Sequence, residues 1–149
     1  MRRIAVLGIM VLGMVAMLAP AAQASSRPVV IREIFYNSPG RDTGSNASLN
    51  AEWVKLHNRR DHRITLTHWT LRDLAGHVYR FGTYRLKAHG YVKIHTGRGT
   101  NTQTDRYWGR SWYIWNNTGD RATLKNANGI VKSRCSYSDP SENFDAVIC

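Results

Sequence analysis

Aromatic and basic side chains are interleaved in one short segment, Tyr107 to Trp115, which holds three of the five tryptophans. Rings interleaved with arginine can stack on sugars or bases, so this segment is a candidate binding site. The residues that we expect to contact a ligand are Trp108, Arg110, Trp112 and Tyr113. The alternative is that Trp108 and Trp115 fill the core, because aromatic side chains dominate cores as readily as binding sites. The sequence leaves both interpretations open.

Oxygen-bearing side chains gather in the polar stretch from Asn37 to Asn50 and at the residue that begins the next strand. The predicted ligand set is Asp42, Asn46, Asn50 and Glu52. Calcium prefers such carboxylate and amide oxygens, so this set is a candidate calcium site, although the spacing is not that of an EF-hand; no other cofactor is expected. The alternative is a turn rich in Asn and Asp that is solvated by water.

The other groups that could catalyse a reaction form no familiar motif. The six histidines show neither HxH nor HExxH spacing, so we expect them at turns and on the surface. No serine stands in a nucleophile elbow, and no glycine-rich loop precedes a helix. The one catalytic alternative is a metal-dependent nuclease that uses Asp42, Glu52 and Asp73. We therefore expect a binding module and not an enzyme.

The first residues have the pattern of a signal peptide. Arg2 and Arg3 precede an apolar run that is too short to span a bilayer, and Ala22-Gln23-Ala24 is a small-x-small cleavage site. We expect cleavage after Ala24 and a secreted domain over residues 25–149, with no membrane attachment afterwards. In an exported protein the two cysteines, Cys135 and Cys149, predict a disulfide that contributes about 3 kcal/mol in the loop-entropy model.

The net charge of the predicted secreted chain is strongly positive. The whole sequence has 21 Lys+Arg and 10 Asp+Glu, and removal of Arg2 and Arg3 leaves 19 − 10 = +9. Such a charge draws a protein towards polyanions such as nucleic acid or wall polymers. The alternative is that the charge only keeps the domain soluble, because the arginines are scattered along the chain.

Short β-branched and aromatic runs separated by turn residues must position these side chains. Val29 to Tyr36 begins the series, and Glu52 to His57 alternates with Val54 and Leu56 on one face. Later runs predict hairpins at Trp69 to Phe81 and around Asn126 to Gly129. About seven short strands predict an all-β, antiparallel sandwich.

Three motifs in the middle of the chain and two towards its end occur in the order of a known family. They are His68-Trp69-Thr70-Leu71, Gly76 to Phe81 with Tyr79-Arg80-Phe81, Leu86 to Ile94, Tyr107-Trp108-Gly109, and Asn116 to Leu124. In this order they resemble the lamin-tail domain, and the resemblance covers roughly Val29 to Val131.

The resemblance implies an immunoglobulin-like β-sandwich, found in nuclear lamins and in exported bacterial proteins, where it often stands alone. The segment that ends at Cys149 lies outside the general family pattern. We expect a secreted interaction module whose ligand is a polyanion (DNA or a wall polymer) or a glycan. The sequence does not name the oligomeric state.

Overall fold

The computed structural model describes residues 27–149, and the predicted signal peptide, residues 1–24, lies outside the described residues. In chain order the elements are β1 (Val29–Phe35), α1 (Asn46–Ala51), β2 (Trp53–Asn58), β3 (Ile64–Thr65), β4 (Thr70–Arg72), β5 (Val78–Arg80), β6 (Arg85–Leu86), β7 (Tyr91–His95), β8 (Asp105–Tyr107), β9 (Gly119–Lys125), β10 (Val131–Ser138) and β11 (Ala146–Ile148). None of the helices within residues 27–149 is long and apolar enough to cross a membrane.

The strands form two main sheets and a small third one. The first has the order β11-β1-β2-β7-β8, the second has the order β10-β9-β4-β5, and β3 pairs with β6. The pairs are antiparallel except β7 with β8. The predicted all-β sandwich is confirmed, with eleven described strands where about seven were expected.

The core lies between the two main sheets and follows the predicted alternation. Val54 and Leu56 of β2 are fully buried, as are their cross-strand partners Ile94 and Val92 of β7. Leu71 and Leu124, paired between β4 and β9, are fully buried on the second sheet. Each such side chain contributes roughly 1.5–3 kcal/mol on burial.

One helix was not predicted. Residues 37–50 were expected to form an irregular loop because Gly, Ser and Asn are abundant there, but Asn46–Ala51 is helical. Ser45 caps this helix by accepting a hydrogen bond from the backbone N–H of Ser48 at 3.2 Å, and Leu49 is buried. The cap and the burial of Leu49 outweigh the weak helix propensity of Asn46, Ser48 and Asn50.

The last strand was also not predicted. β11 pairs with β1 on the outer edge of the five-stranded sheet, where Val147 lies opposite Ile34. The predicted disulfide is present, joining Cys135 of β10 to Cys149, with the two Cα atoms 5.8 Å apart. The bridge therefore ties the end of one sheet to a strand of the other.

Candidate functional site

The aromatic segment is held in place by one buried carboxylate. Glu52, fully buried between α1 and β2, accepts hydrogen bonds from the backbone N–H groups of Trp115 (2.7 Å) and Ile114 (3.1 Å). Burial raises the pKa of Glu52 to about 7, against these hydrogen bonds, which lower it. Residues 108–118, which follow β8, form no strand. The alternation of inward and outward side chains that is expected of a strand therefore does not apply to them.

Two of the segment's tryptophans pack in or against the core. Trp115 is only 1% exposed, and Trp108 meets it edge to face with ring centroids 6.1 Å apart. The ring of Trp108 also contacts that of Tyr79, with the centroids 5.8 Å apart. Arg110 is exposed on the loop that follows, and its backbone N–H donates a hydrogen bond to the carbonyl of Thr96. The structure therefore does not join Trp108 and Arg110 to the rest of the predicted binding set.

The other two predicted residues line one cleft. Trp112 is 64% exposed, and Tyr113 lies beside it with ring centroids 5.5 Å apart. The cleft has a volume of about 280 Å³ and includes the carboxylate residues Asp42 and Glu142 in its lining. These acidic groups oppose a polyanion at this place, whereas hydroxyl groups of a sugar could donate to them.

The four predicted calcium ligands make different contacts in the structure. Asn46 accepts a hydrogen bond from the backbone N–H of Arg98 (2.7 Å), and the side-chain amides of Asn46 and Asn50 both donate to the carbonyl of Arg98. Glu52 binds the aromatic segment, and Asp42 faces the cleft. This geometry gives the calcium prediction no support, and it stays a prediction.

The nuclease alternative also finds no support. Asp73 accepts hydrogen bonds from the backbone N–H groups of Gly76 and His77 and from the ring of His77 in the turn between β4 and β5. Within residues 27–149 no group of three or more His, Cys, Asp or Glu side chains could hold a metal ion. The three acids named for this alternative therefore do not form a catalytic cluster.

Sequence reasoning missed a group of cations on the outside of the four-stranded sheet. We call Arg72, Arg121, Lys125 and Arg134 the basic face; these four side chains line one shallow depression with Thr123, Leu74 and the buried Asp73. Thr123 of β9 lies opposite Arg134 on β10 and opposite Arg72 on β4. Arg121 and Lys125 are two residues before and after Thr123 on the same strand. Thr123 therefore has a cation on each of its four sides.

The acids near the basic face are turned inward. Asp73 and Asp120 are both almost fully buried. Asp120 accepts hydrogen bonds from the backbone N–H groups of Leu74 (2.9 Å) and Arg121 (2.6 Å), so its carboxylate stabilises the turns at the edge of the face. Within the part of the chain that the structure describes, no ion pair joins a cation of the basic face to a carboxylate. Their charge is thus presented to solvent.

A two-sheet sandwich with short, mostly antiparallel strands is the architecture that immunoglobulin-like domains share. In a comparison with protein families, residues 22–139 match the lamin tail domain. This chain belongs to the lamin tail domain family, a family of non-enzymatic immunoglobulin-like interaction modules. β11 and Cys149 lie beyond the matched residues. A search of curated proteins gave no match.

Proposed function

We propose that the chain is an exported, non-catalytic module that binds a polyanion, such as nucleic acid or an anionic wall polymer, through the basic face. The observation that carries the proposal is the arrangement of Arg72, Arg121, Lys125 and Arg134 around Thr123 on one exposed sheet surface. Export rests on the signal-peptide pattern of residues 1–24.

The geometry of a β-sheet gives the basic face the dimensions of several neighbouring phosphates. Adjacent strands lie about 4.8 Å apart, so the backbones at Arg72 and Arg134 are about 10 Å apart across β9. Along β9, Arg121 and Lys125 each lie about 7 Å from Thr123. Guanidinium groups bind phosphate oxygens in pairs, which makes three arginines in this array suited to a row of phosphates.

A second candidate ligand, a glycan, is favoured by one observation elsewhere. The cleft beside Trp112 combines an exposed indole ring with the oxygen-bearing residues Asp42, Asn116 and Glu142. An aromatic platform with a few polar groups is the usual composition of a small-ligand site. The cleft and the basic face are different surfaces, so one protein can carry both.

The salt dependence of binding tests the polyanion proposal. We expect the purified protein to bind a short labelled DNA duplex, and the logarithm of the association constant to fall linearly with the logarithm of the salt concentration. Four phosphate contacts give a slope of about −3 to −4, or roughly a 100-fold loss between 50 and 200 mM salt. Absence of binding at low salt, or binding that salt does not weaken, would contradict the proposal.

A matched measurement separates the glycan candidate. Trp112→Ala should abolish binding to an immobilised neutral polysaccharide and leave DNA binding unchanged, because the indole ring lies in the acid-lined cleft. Loss of DNA binding in this variant would place the polyanion at the aromatic segment instead of the basic face.

A further inference from the structure

A second cluster of arginines lines a pocket where β1 and β10 meet. The pocket has a volume of about 500 Å³. Its charged and aromatic lining, which we call the arginine pocket, consists of Arg27, Arg32, Arg59, Arg134, His57 and Tyr91. We propose that the arginine pocket binds a nucleoside monophosphate group, with the phosphate among the arginines and the base against the ring of Tyr91.

Specific features of the fold bring these arginines together. Arg32 is the extra residue of a β-bulge, because Ile31 pairs with Leu56 and Glu33 pairs with Lys55. Bulges re-aim side chains, and this one lets Arg32 line the pocket. Arg59 follows β2, and its backbone N–H donates a hydrogen bond to the carbonyl of Pro28 at 2.8 Å, which holds Arg59 near the start of β1.

A further arginine comes from the other sheet. Arg134 follows Ser133, whose buried hydroxyl accepts a hydrogen bond from the N–H of Ile31 at 3.0 Å. This bond fixes β10 against β1. The disulfide from Cys135 then brings Cys149 to the wall of the same pocket. The pocket is therefore built from strands and the residues at their ends, an arrangement that suits a small, ordered ligand.

The lining has an excess of positive charge. No Asp or Glu side chain lines the pocket, and within residues 27–149 no ion pair joins its arginines to a carboxylate. The field of the arginines reaches His57: burial lowers the pKa of His57, and His89, Arg32 and Arg59 lower it further. A phosphate dianion would offset this repulsion while accepting bidentate hydrogen bonds.

An aromatic platform stands beside the charges. His57 and Tyr91 are cross-strand partners of β2 and β7, and their rings stack with centroids 4.2 Å apart and planes 9° apart. Tyr91 is 46% exposed, because β8 begins to pair with β7 only at Lys93. Exposed rings beside arginines are the combination that binds bases and phosphates together. The aromatic pair thus distinguishes a nucleotide from a simple phosphate.

The arginine pocket differs from the basic face in shape and in the ligand that it takes. A volume of about 500 Å³ falls in the range of small-molecule sites. Only Arg134 belongs to both surfaces. The tests below therefore change Arg32, Arg59 and Tyr91, so that failure here and failure of the polyanion proposal can be told apart.

Calorimetric titration of the purified protein with AMP, adenosine and inorganic phosphate tests the inference. We expect AMP to bind more tightly than either of the other two probes. Arg32→Gln combined with Arg59→Gln should weaken both AMP and phosphate about tenfold or more, since hydrogen bonds to charged groups are lost. Tyr91→Leu should weaken AMP about tenfold and leave phosphate unchanged.

A spectroscopic readout and a matched control make the test independent of stability. In a proton NMR titration, saturating AMP should raise the pKa of His57, because a dianion then lies among the neighbouring cations. The control is Arg121→Gln with Lys125→Gln, which removes two charges from the basic face and should leave AMP binding intact.

Three results would overturn the inference: no AMP binding, equal binding of AMP and adenosine, or unchanged AMP binding in the Arg32/Arg59 variant. An oligonucleotide with a 5′ phosphate that displaces AMP identifies a chain end as a source of the ligand. Failure of that oligonucleotide to compete identifies the free nucleotide as the ligand, and either outcome supports the pocket.

Discussion

At the scale of single residues, Glu52 links the fold to the candidate binding cleft. Its buried carboxylate holds the backbone N–H groups of Ile114 and Trp115, and thereby positions Trp112 and Tyr113 just before them. These two hydrogen bonds explain why a charged residue, Glu52, is buried just before β2. The stability of the domain should therefore depend on pH.

We predict that the free energy of unfolding falls as the pH rises from 4.5 to about 7. In this window Glu52 is protonated in the folded protein and ionised in the unfolded chain, so folding takes up a proton. The rise in the pKa of Glu52 on folding corresponds to a change of at most about 3 kcal/mol in the free energy of unfolding across this window. Glu52→Gln should remove this part of the pH dependence in urea unfolding, and the exposed control Glu142→Gln should retain it. Equal pH profiles for wild type and Glu52→Gln would refute the assignment.

Gly44 is the second residue whose identity the structure requires. A Cβ at Gly44 would lie 2.7 Å from Cζ3 of Trp112, and the backbone there has a φ of +67°. Gly40 has a similar φ of +85° with open space around it, so it is a matched control for backbone strain. We predict that Gly44→Ala destabilises the domain by about 1 kcal/mol more than Gly40→Ala and shifts the fluorescence of Trp112. Equal losses of stability in the two variants would show that the ring does not rest on Gly44.

At the scale of elements, we expect the disulfide to determine the stability of β11. This strand has only three residues and pairs with β1 alone among the described strands, while the N–H of Cys149 donates to the carbonyl of Arg32 at 3.0 Å. We predict that Cys135→Ser with Cys149→Ser costs about 3 kcal/mol in urea unfolding. Amide exchange should accelerate in β11 and stay slow in the β2–β7 pair. Unchanged protection of β11 would contradict this account.

The elements also show what the sequence could and could not predict. Strands such as β2 and β7 were predictable because their buried apolar residues alternate with outward-facing ones and because polar turn residues flank each strand. Helix α1 was not, since its formation depends on the Ser45 cap and on burial of Leu49 by the rest of the domain. β11 was not, because it has only three residues and its partner strand, β1, is far away in the sequence.

The candidate site was predictable only in part, for the same physical reason. Trp112 and Tyr113 are neighbours in sequence and were predicted to contact a ligand together, but Asp42, which lines the same cleft, was predicted only as a calcium ligand. The basic face draws Arg72, Arg121 and Arg134 from three strands, and their proximity follows from the order β10-β9-β4. A scattered set of arginines becomes a surface only when the strand order is known.

At the scale of the whole molecule, the charges separate into distinct surfaces. The basic face and the arginine pocket meet at Arg134, whereas the cleft at Trp112 carries two acids. A uniformly basic protein would bind polyanions anywhere. This one presents its cations on particular strands, and most of the nearby carboxylates are buried or hydrogen-bonded to backbone. We propose that the position of the charge, and not its total, produces polyanion binding.

The most direct test compares two variants of equal net charge. One replaces the basic face with glutamine at Arg72, Arg121, Lys125 and Arg134; the other makes the same change at four exposed arginines elsewhere, Arg41, Arg63, Arg98 and Arg110. We predict that the first variant flattens the salt slope of DNA binding by about 3 to 4, and that the second retains most of the wild-type slope. Equal losses in the two variants, or a larger loss in the second, would contradict the account.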